Sequence, residues 1–215
     1  MTENIQTLMQ NGRLWRGLEH DFHRPLDDKL GLATGYETLD HALPFGGWPR
    51  GALTEILYSW PGQGELQLLL PALTRVSRQQ RYIVLIDPPW LPYAPALAAA
   101  GIDLSFVISI DRLDENDRHW ALEQTLRAGQ CGAALAWPRE DLDGKTLRRL
   151  QLAAEAGDSC GFLYRHPRFR PQHSPAALRL QLHPAETGLQ LELVKCRGRN
   201  PSATRIELPL ANGRI

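Results

Sequence analysis

Thr54-Glu55-Ile56-Leu57-Tyr58-Ser59-Trp60-Pro61-Gly62-Gln63-Gly64-Glu65-Leu66-Gln67-Leu68-Leu69-Leu70 is the stretch that decides the fold. An apolar strand enters a turn with two glycines and leaves as an apolar helical run. That is the layout of a phosphate-binding loop, in which backbone N–H groups gather where a helix starts. The chemistry of such a loop is missing. Working examples use a Lys to reach the terminal phosphates and a Ser or Thr to hold magnesium. Here Glu65 and Leu66 stand at those places. The placing of a gap hardly matters: no Lys or Arg occurs from Gly51 to Thr74, and no Ser or Thr between Ser59 and Thr74. A carboxylate about 4 Å from a phosphate charge costs roughly 4 kcal/mol at an effective dielectric near 20. Gly62 and Gly64 are therefore expected to serve the tight turn, with N–H groups still able to hold an anion weakly. Glu65 is expected to be favoured by the dipole of the helix it opens.

On either side of this stretch, strand and helix patterns alternate. Ala52–Tyr58 reads as a buried strand and Glu65–Gln79 as a helix that Pro71 kinks or shortens. Strands follow at 82–87, 106–110, 133–137 and 160–164. Helices follow at 95–100, from Asp114 as cap to about Ala128, and at 145–156. That rhythm implies βαβ units and a parallel sheet. After Arg165 it changes. Pro167, Pro171 and Pro175 break up a basic loop, and 178–182 and 189–193 alternate apolar and polar residues, the mark of half-solvated antiparallel strands. The fold expected is α/β, a mostly parallel twisted sheet flanked by helices, with antiparallel strands at the C-terminal end. Residues 1–30 read as a polar N-terminal segment, either docked through Trp15 or a loosely attached tail, and 31–215 as one domain.

Composition bounds the function. The 215 residues carry no formal net charge, so overall charge does not announce a nucleic-acid binder. The distribution is uneven: residues 1–159 hold 15 Lys+Arg against 21 Asp+Glu, and residues 160–215 hold 9 against 3. A basic C-terminal face for DNA or an acidic partner and ordinary surface variation both fit. Cys131, Cys160 and Cys196 are scattered in apolar stretches, read as buried thiols without metal-ligand spacing. No secretory signal and no membrane span is read, and a cytoplasmic protein is expected. The seven His form no tight cluster in sequence, and no Gly-x-Ser-x-Gly elbow occurs. Neither metal nor cofactor is expected.

The series Thr34-Gly35…Leu39-Asp40…Leu43…Gly46-Gly47-Trp48-Pro49-Arg50-Gly51…Thr54-Glu55-Ile56 resembles the entry to the ATPase core of RecA-type recombinases. A closer resemblance is to the ImuA family, recombinase-like proteins of bacterial damage-tolerance cassettes. It rests on Gly46–Gly51, Gly64-Glu65-Leu66…Leu70-Pro71-Ala72-Leu73, Pro88-Pro89…Pro92-Tyr93-Ala94-Pro95, Glu123–Gly129, Leu147–Gly157, Ser174–Leu180 and Lys195–Gly198. The resemblance implies a RecA-like core. It also places a catalytic Glu just after Asp87, where Pro88 and Pro89 stand, and a metal-supporting Asp at the end of the strand before Trp137. With Glu65 in the loop, Gly62, Gly64, Glu65, Pro89 and Trp137 mark a dismantled nucleotide site with no catalytic residue. Trp137 either fills the space of a base or metal, or serves as core or partner surface.

The same resemblance implies a non-catalytic accessory role in SOS-linked, error-prone translesion DNA synthesis. Its partners would be RecA, the polymerase-like ImuB and an error-prone polymerase assembly. Arg165, Arg168, Arg170, Lys195, Arg197 and Arg199 are the expected partner or DNA contacts. Lys195 and Arg197, two apart on a strand, share a face and could reach RecA's nucleotide. The rivals are a cell-division inhibitor of the SulA type that binds FtsZ, a weakly active recombinase-type ATPase, and direct binding of single-stranded DNA. Trp120, Leu122 and Leu126 are expected to pack inward, as are the leucines of 147–152, leaving Arg148 and Arg149 outside.

Overall fold

The computed structural model describes residues 31–185, 188–198 and 205–209. The Trp15 anchor and Arg199 lie outside the described residues, as does the whole segment 1–30. Two short pieces, β1 (Gly31–Leu32) and β2 (Trp48–Pro49), pair antiparallel around α1 (Glu37–Ala42). None of the three was read from the sequence, because two-residue strands and a six-residue helix are too short to show a period.

The main sheet follows. In chain order its elements are β3 (Ala52–Leu57), α2 (Leu70–Arg78), β4 (Tyr82–Ile86), α3 (Ala94–Ala99), β5 (Val107–Ile110) and α4 (Glu115–Arg127). Then come β6 (Cys131–Ala136), α5 (Gly144–Gly157), β7 (Cys160–Arg165), β8 (Leu178–Ala185), β9 (Gly188–Cys196) and β10 (Arg205–Leu208). The spatial order is β10-β9-β8-β3-β7-β6-β4-β5. From β8 to β5 all pairs are parallel, while β9 and β10 add antiparallel. The mixed α/β architecture is thus the one expected, with one correction: β8 pairs parallel to β3 as well as antiparallel to β9 and is buried along most of its length, so of the two strands expected to alternate β9 alone does so.

Period-two alternation divides the core. Ile56, Ile83, Leu85, Leu135 and Phe162 face one side, where α2 and α3 bring Leu73, Val76 and Leu97. Leu53, Val84, Ile86, Ala134 and Leu163 face the other, where α4 and α5 bring Leu122, Leu126, Leu147 and Leu150. Pro71 shortens the first helix as expected: a 3-10 turn at Gln67–Leu69 precedes α2, and Pro71 sits in its first turn, where no N–H is needed. Asp114 and Asp143 cap α4 and α5 by accepting from the N–H groups of Asp117 and Thr146. Two expectations fail: Trp120 is 64% exposed on α4, and Leu152 points outward on α5. All three cysteines are buried free thiols. Among the described residues no helix is long and apolar enough to cross a membrane.

Candidate functional site

The C-terminal ends of β3, β4, β6 and β7 converge on a shallow cleft of about 190 Å³, lined by Tyr58, Trp60, Asp87, Pro89, Trp137 and Tyr164 among others. Open α/β sheets place their ligands at this edge. The contents are largely aromatic, and the buried Trp137 Nε1 has no hydrogen-bond partner among the described residues. Trp137 stacks on Tyr164 with ring centroids 4.7 Å apart, and Tyr58 meets Tyr164 edge-on at 5.7 Å. Burial, reinforced by the Glu65 carboxylate, pushes the Tyr58 phenol up to about 12 and Tyr164 well above its usual range.

The glycine turn explains the role of Glu65. Gly62 and Gly64 have φ of +91° and +92°, a conformation that favours glycine. Glu65 does not sit in a helical first turn as expected. Its carboxylate swings back, accepting from the Gly62 N–H at 2.9 and 3.1 Å, while its carbonyl accepts from the Tyr164 hydroxyl at 3.0 Å. The chain's own anion thus occupies an N–H group that a phosphate would want. Asp87, the strand-end acid just before the place where a catalytic Glu was sought, is spoken for as well. It is buried at φ +50° and takes the Arg118 guanidinium at 2.8 Å. Arg118 in turn holds Glu140 at 2.8 Å.

The basic residues are placed very differently from one another. Arg165 and Arg179 are buried on either side of Glu55, at 3.5 and 2.9 Å. Arg165 therefore belongs to the interior and is removed from any contact surface; burial also lowers its pKa. Arg170 is bound to Glu192 and Gln181. Lys195 is half-buried and donates to the Ser174 carbonyl, and desolvation lowers its pKa. Arg168 and Arg197 are exposed, Arg168 over the Phe169 ring at 4.7 Å. Two of the cations after residue 160, Arg165 and Arg179, are thus drawn into an internal network around Glu55, which net-charge counting cannot see.

Sequence reasoning missed two features. One is the exposed apolar group Trp60, Trp90, Leu91 and Tyr93, 61–84% exposed, on the loops after β3 and β4. Its signal was the run Trp90-Leu91-Pro92-Tyr93, which follows a strand yet has no helical or strand period. The other is the approach of Glu115, His119 and Glu140.

Comparison with known proteins bears on the same segment. A family model described as "Cell division inhibitor SulA" matches residues 51–161, just over half of the chain. The chain is 29% identical over 117 residues to the cell division inhibitor SulA of Cronobacter sakazakii, covering 54% of this chain and 70% of that protein. It is 28% identical over 138 residues to the SulA of Serratia proteamaculans, covering 64% of this chain and 81% of that protein. The SulA of Yersinia pestis is 29% identical over 115 residues. These matches overturn the ImuA reading. The translesion role falls with it, and so do RecA, ImuB and the polymerase assembly as partners. Several of the motifs quoted for ImuA, in α2, α4, α5 and the loops after β3 and β4, fall within the segment that the inhibitors share.

Proposed function

The chain belongs to the cell division inhibitor SulA family, and from that premise we propose that it blocks bacterial cell division by binding FtsZ, without chemistry of its own. The family match across residues 51–161 carries the reading. It spans the glycine turn, most of the cleft lining and both exposed aromatic loops.

Two features support binding over turnover. The cleft, at about 190 Å³, falls below the ~300–1,000 Å³ usual for ligand pockets. The Gly62 N–H group is held by the Glu65 carboxylate, with no Lys nearby to outbid it. The layout of strand, glycine turn and helix supports a recombinase-type ancestry for the core. The exposed group Trp60, Trp90, Leu91 and Tyr93 has the composition of a protein contact, in which aromatic anchors dominate.

The test is FtsZ assembly. Stoichiometric addition of the purified chain should lower the amount of FtsZ sedimented with GTP and slow its GTPase. Expression should give filamentous cells. Unchanged FtsZ assembly at several-fold molar excess would sink the proposal. Magnesium-dependent ATP turnover by the chain alone would sink its non-catalytic part.

A further inference from the structure

Glu115 and His119 lie four residues apart on α4, hence on one helix face. Glu140 comes from the loop between β6 and α5. One donor atom from each lies within 4.8 Å of the other two. His119 Nε2 and Glu140 Oε1 are 2.8 Å apart. Their relative orientation is not that of a hydrogen bond, and neither buried atom has another hydrogen-bond partner among the described residues. Two donor atoms that close, an ion pair when His119 is protonated and without a hydrogen bond between them, are also arranged as co-ligands are around a common centre.

The second carboxylate oxygen of Glu140 is fixed independently. Oε2 accepts from Arg118 Nη1 at 2.8 Å and from the Arg139 N–H at 3.1 Å. Arg118 is anchored on Asp87 and on the Leu113 carbonyl at 3.0 Å. Such outer partners orient a ligand and leave its other oxygen free for the ion. The Arg118 charge is itself balanced by Asp87 and Glu140, so it does not leave the site cationic.

We propose that Glu115, His119 and Glu140 form a binding site for one first-row divalent cation of the zinc class. One imidazole nitrogen and two carboxylate oxygens, with a fourth position open to water, make a donor set that suits Zn²⁺. A tetrahedral ion with ligands at ~2.1 Å needs donors ~3.4 Å apart. The separations here, 2.8 Å for the closest pair and at most 4.8 Å for any, bracket that value. Rotation of the exposed Glu115 side chain closes the gap. The ion would fasten the start of α4 to the β6–α5 loop, beside the Asp87 wall of the cleft. The site stands on this geometry and not on the division reading.

The test uses the full chain, stripped with chelator and titrated calorimetrically with Zn²⁺. One ion per chain is expected, together with a higher melting midpoint at saturation. Glu115→Gln and His119→Gln should each weaken binding by more than the ~10–100-fold that losing an outer partner costs, and should abolish the melting shift. Glu115 is exposed, so its substitution leaves the fold intact by circular dichroism and keeps the test readable if His119→Gln misfolds. Co²⁺ loading should give d–d bands without a thiolate charge-transfer band, which excludes the cysteines. Absence of stoichiometric binding overturns the proposal. So does unchanged affinity in both variants, or loss of binding only when His20 and His23 are replaced.

Discussion

Replacing Glu55 by Leu in the middle of β3 should destabilise the chain far more than any surface charge deletion. Its carboxylate takes Arg179 Nε at 2.9 Å, Arg165 Nη1 at 3.5 Å and the Ser174 hydroxyl, all at buried positions. Removing one side of a buried ion pair costs about 3–5 kcal/mol, because the charge left behind has no counterion. Two details move this case toward the lower half. Arg179 keeps the carbonyls of Phe169, Arg170 and Gln172 at 2.9–3.1 Å. Arg165 keeps Gln172 at 2.7 Å and Asp141 at 3.3 Å. A loss of about 3 kcal/mol follows. At a urea slope near 2 kcal/mol/M this lowers the midpoint by about 1.5 M. Adding Arg165→Leu to Glu55→Leu should recover part of the loss, since one stranded charge is gone, giving a coupling of about 1–2 kcal/mol. The shift should persist in 1 M salt, where exposed pairs are screened. A loss under about 1 kcal/mol, with the circular dichroism spectrum unchanged, would mean that water reaches these charges and would refute the reasoning.

Gly157→Ala should destabilise by more than about 1 kcal/mol in thermal unfolding, since a Cβ there would meet the Leu126 carbonyl oxygen at 2.1 Å. Gly144→Ala, open at the start of α5, should stabilise by about 0.4–1 kcal/mol. A thiol reagent should find none of the three cysteines in the folded chain and all three in denaturant. Burial holds Cys131 at about 11, Cys160 at about 12 and Tyr58 at about 12. These raised groups contribute stability that is complete below the ordinary values of 9.0 and 10.0. It is lost as pH rises toward about 12, so the melting midpoint should fall steeply across that window. Trp60→Ala with Trp90→Ala should weaken inhibition of FtsZ sedimentation by at least about 10-fold while leaving the melting midpoint within a few degrees.

The parallel sheet was legible because buried strands such as Ile83–Ile86 and helices stopped at Gly129 and Gly157 are local signals, each carried by a run long enough to show its period. What stayed hidden was relational. Arg165, Arg179 and Lys195 read as a basic surface because sequence reports charge but not partner. Glu55, 110 residues upstream of Arg165, draws the first two inward only once β3 lies between β7 and β8. Glu115 and His119 show their spacing, but Glu140 joins them only through the loop after β6. Trp120 misled in the opposite way, since an aromatic residue on a helix is assigned to the core by default and here it faces solvent.

The family reading failed for a related reason. The glycine turn and its preceding strand describe a fold layout, and several functions can sit on one layout. Glu65 illustrates the difference. Its position argued against phosphate, and its carboxylate on the Gly62 N–H gives that argument a geometry. Neither fact bears on whether the surface outside the cleft meets a recombinase or a division protein. That choice depends on side chains with no structural duty, and the most exposed of these on the loops after β3 and β4 are Trp60, Trp90, Leu91 and Tyr93. Large apolar residues left in water on two neighbouring loops carry a solvation cost that a partner would relieve. The partner is therefore to be sought at the carboxyl edge of β3 and β4, whereas most of the described C-terminal cations are already engaged within the chain.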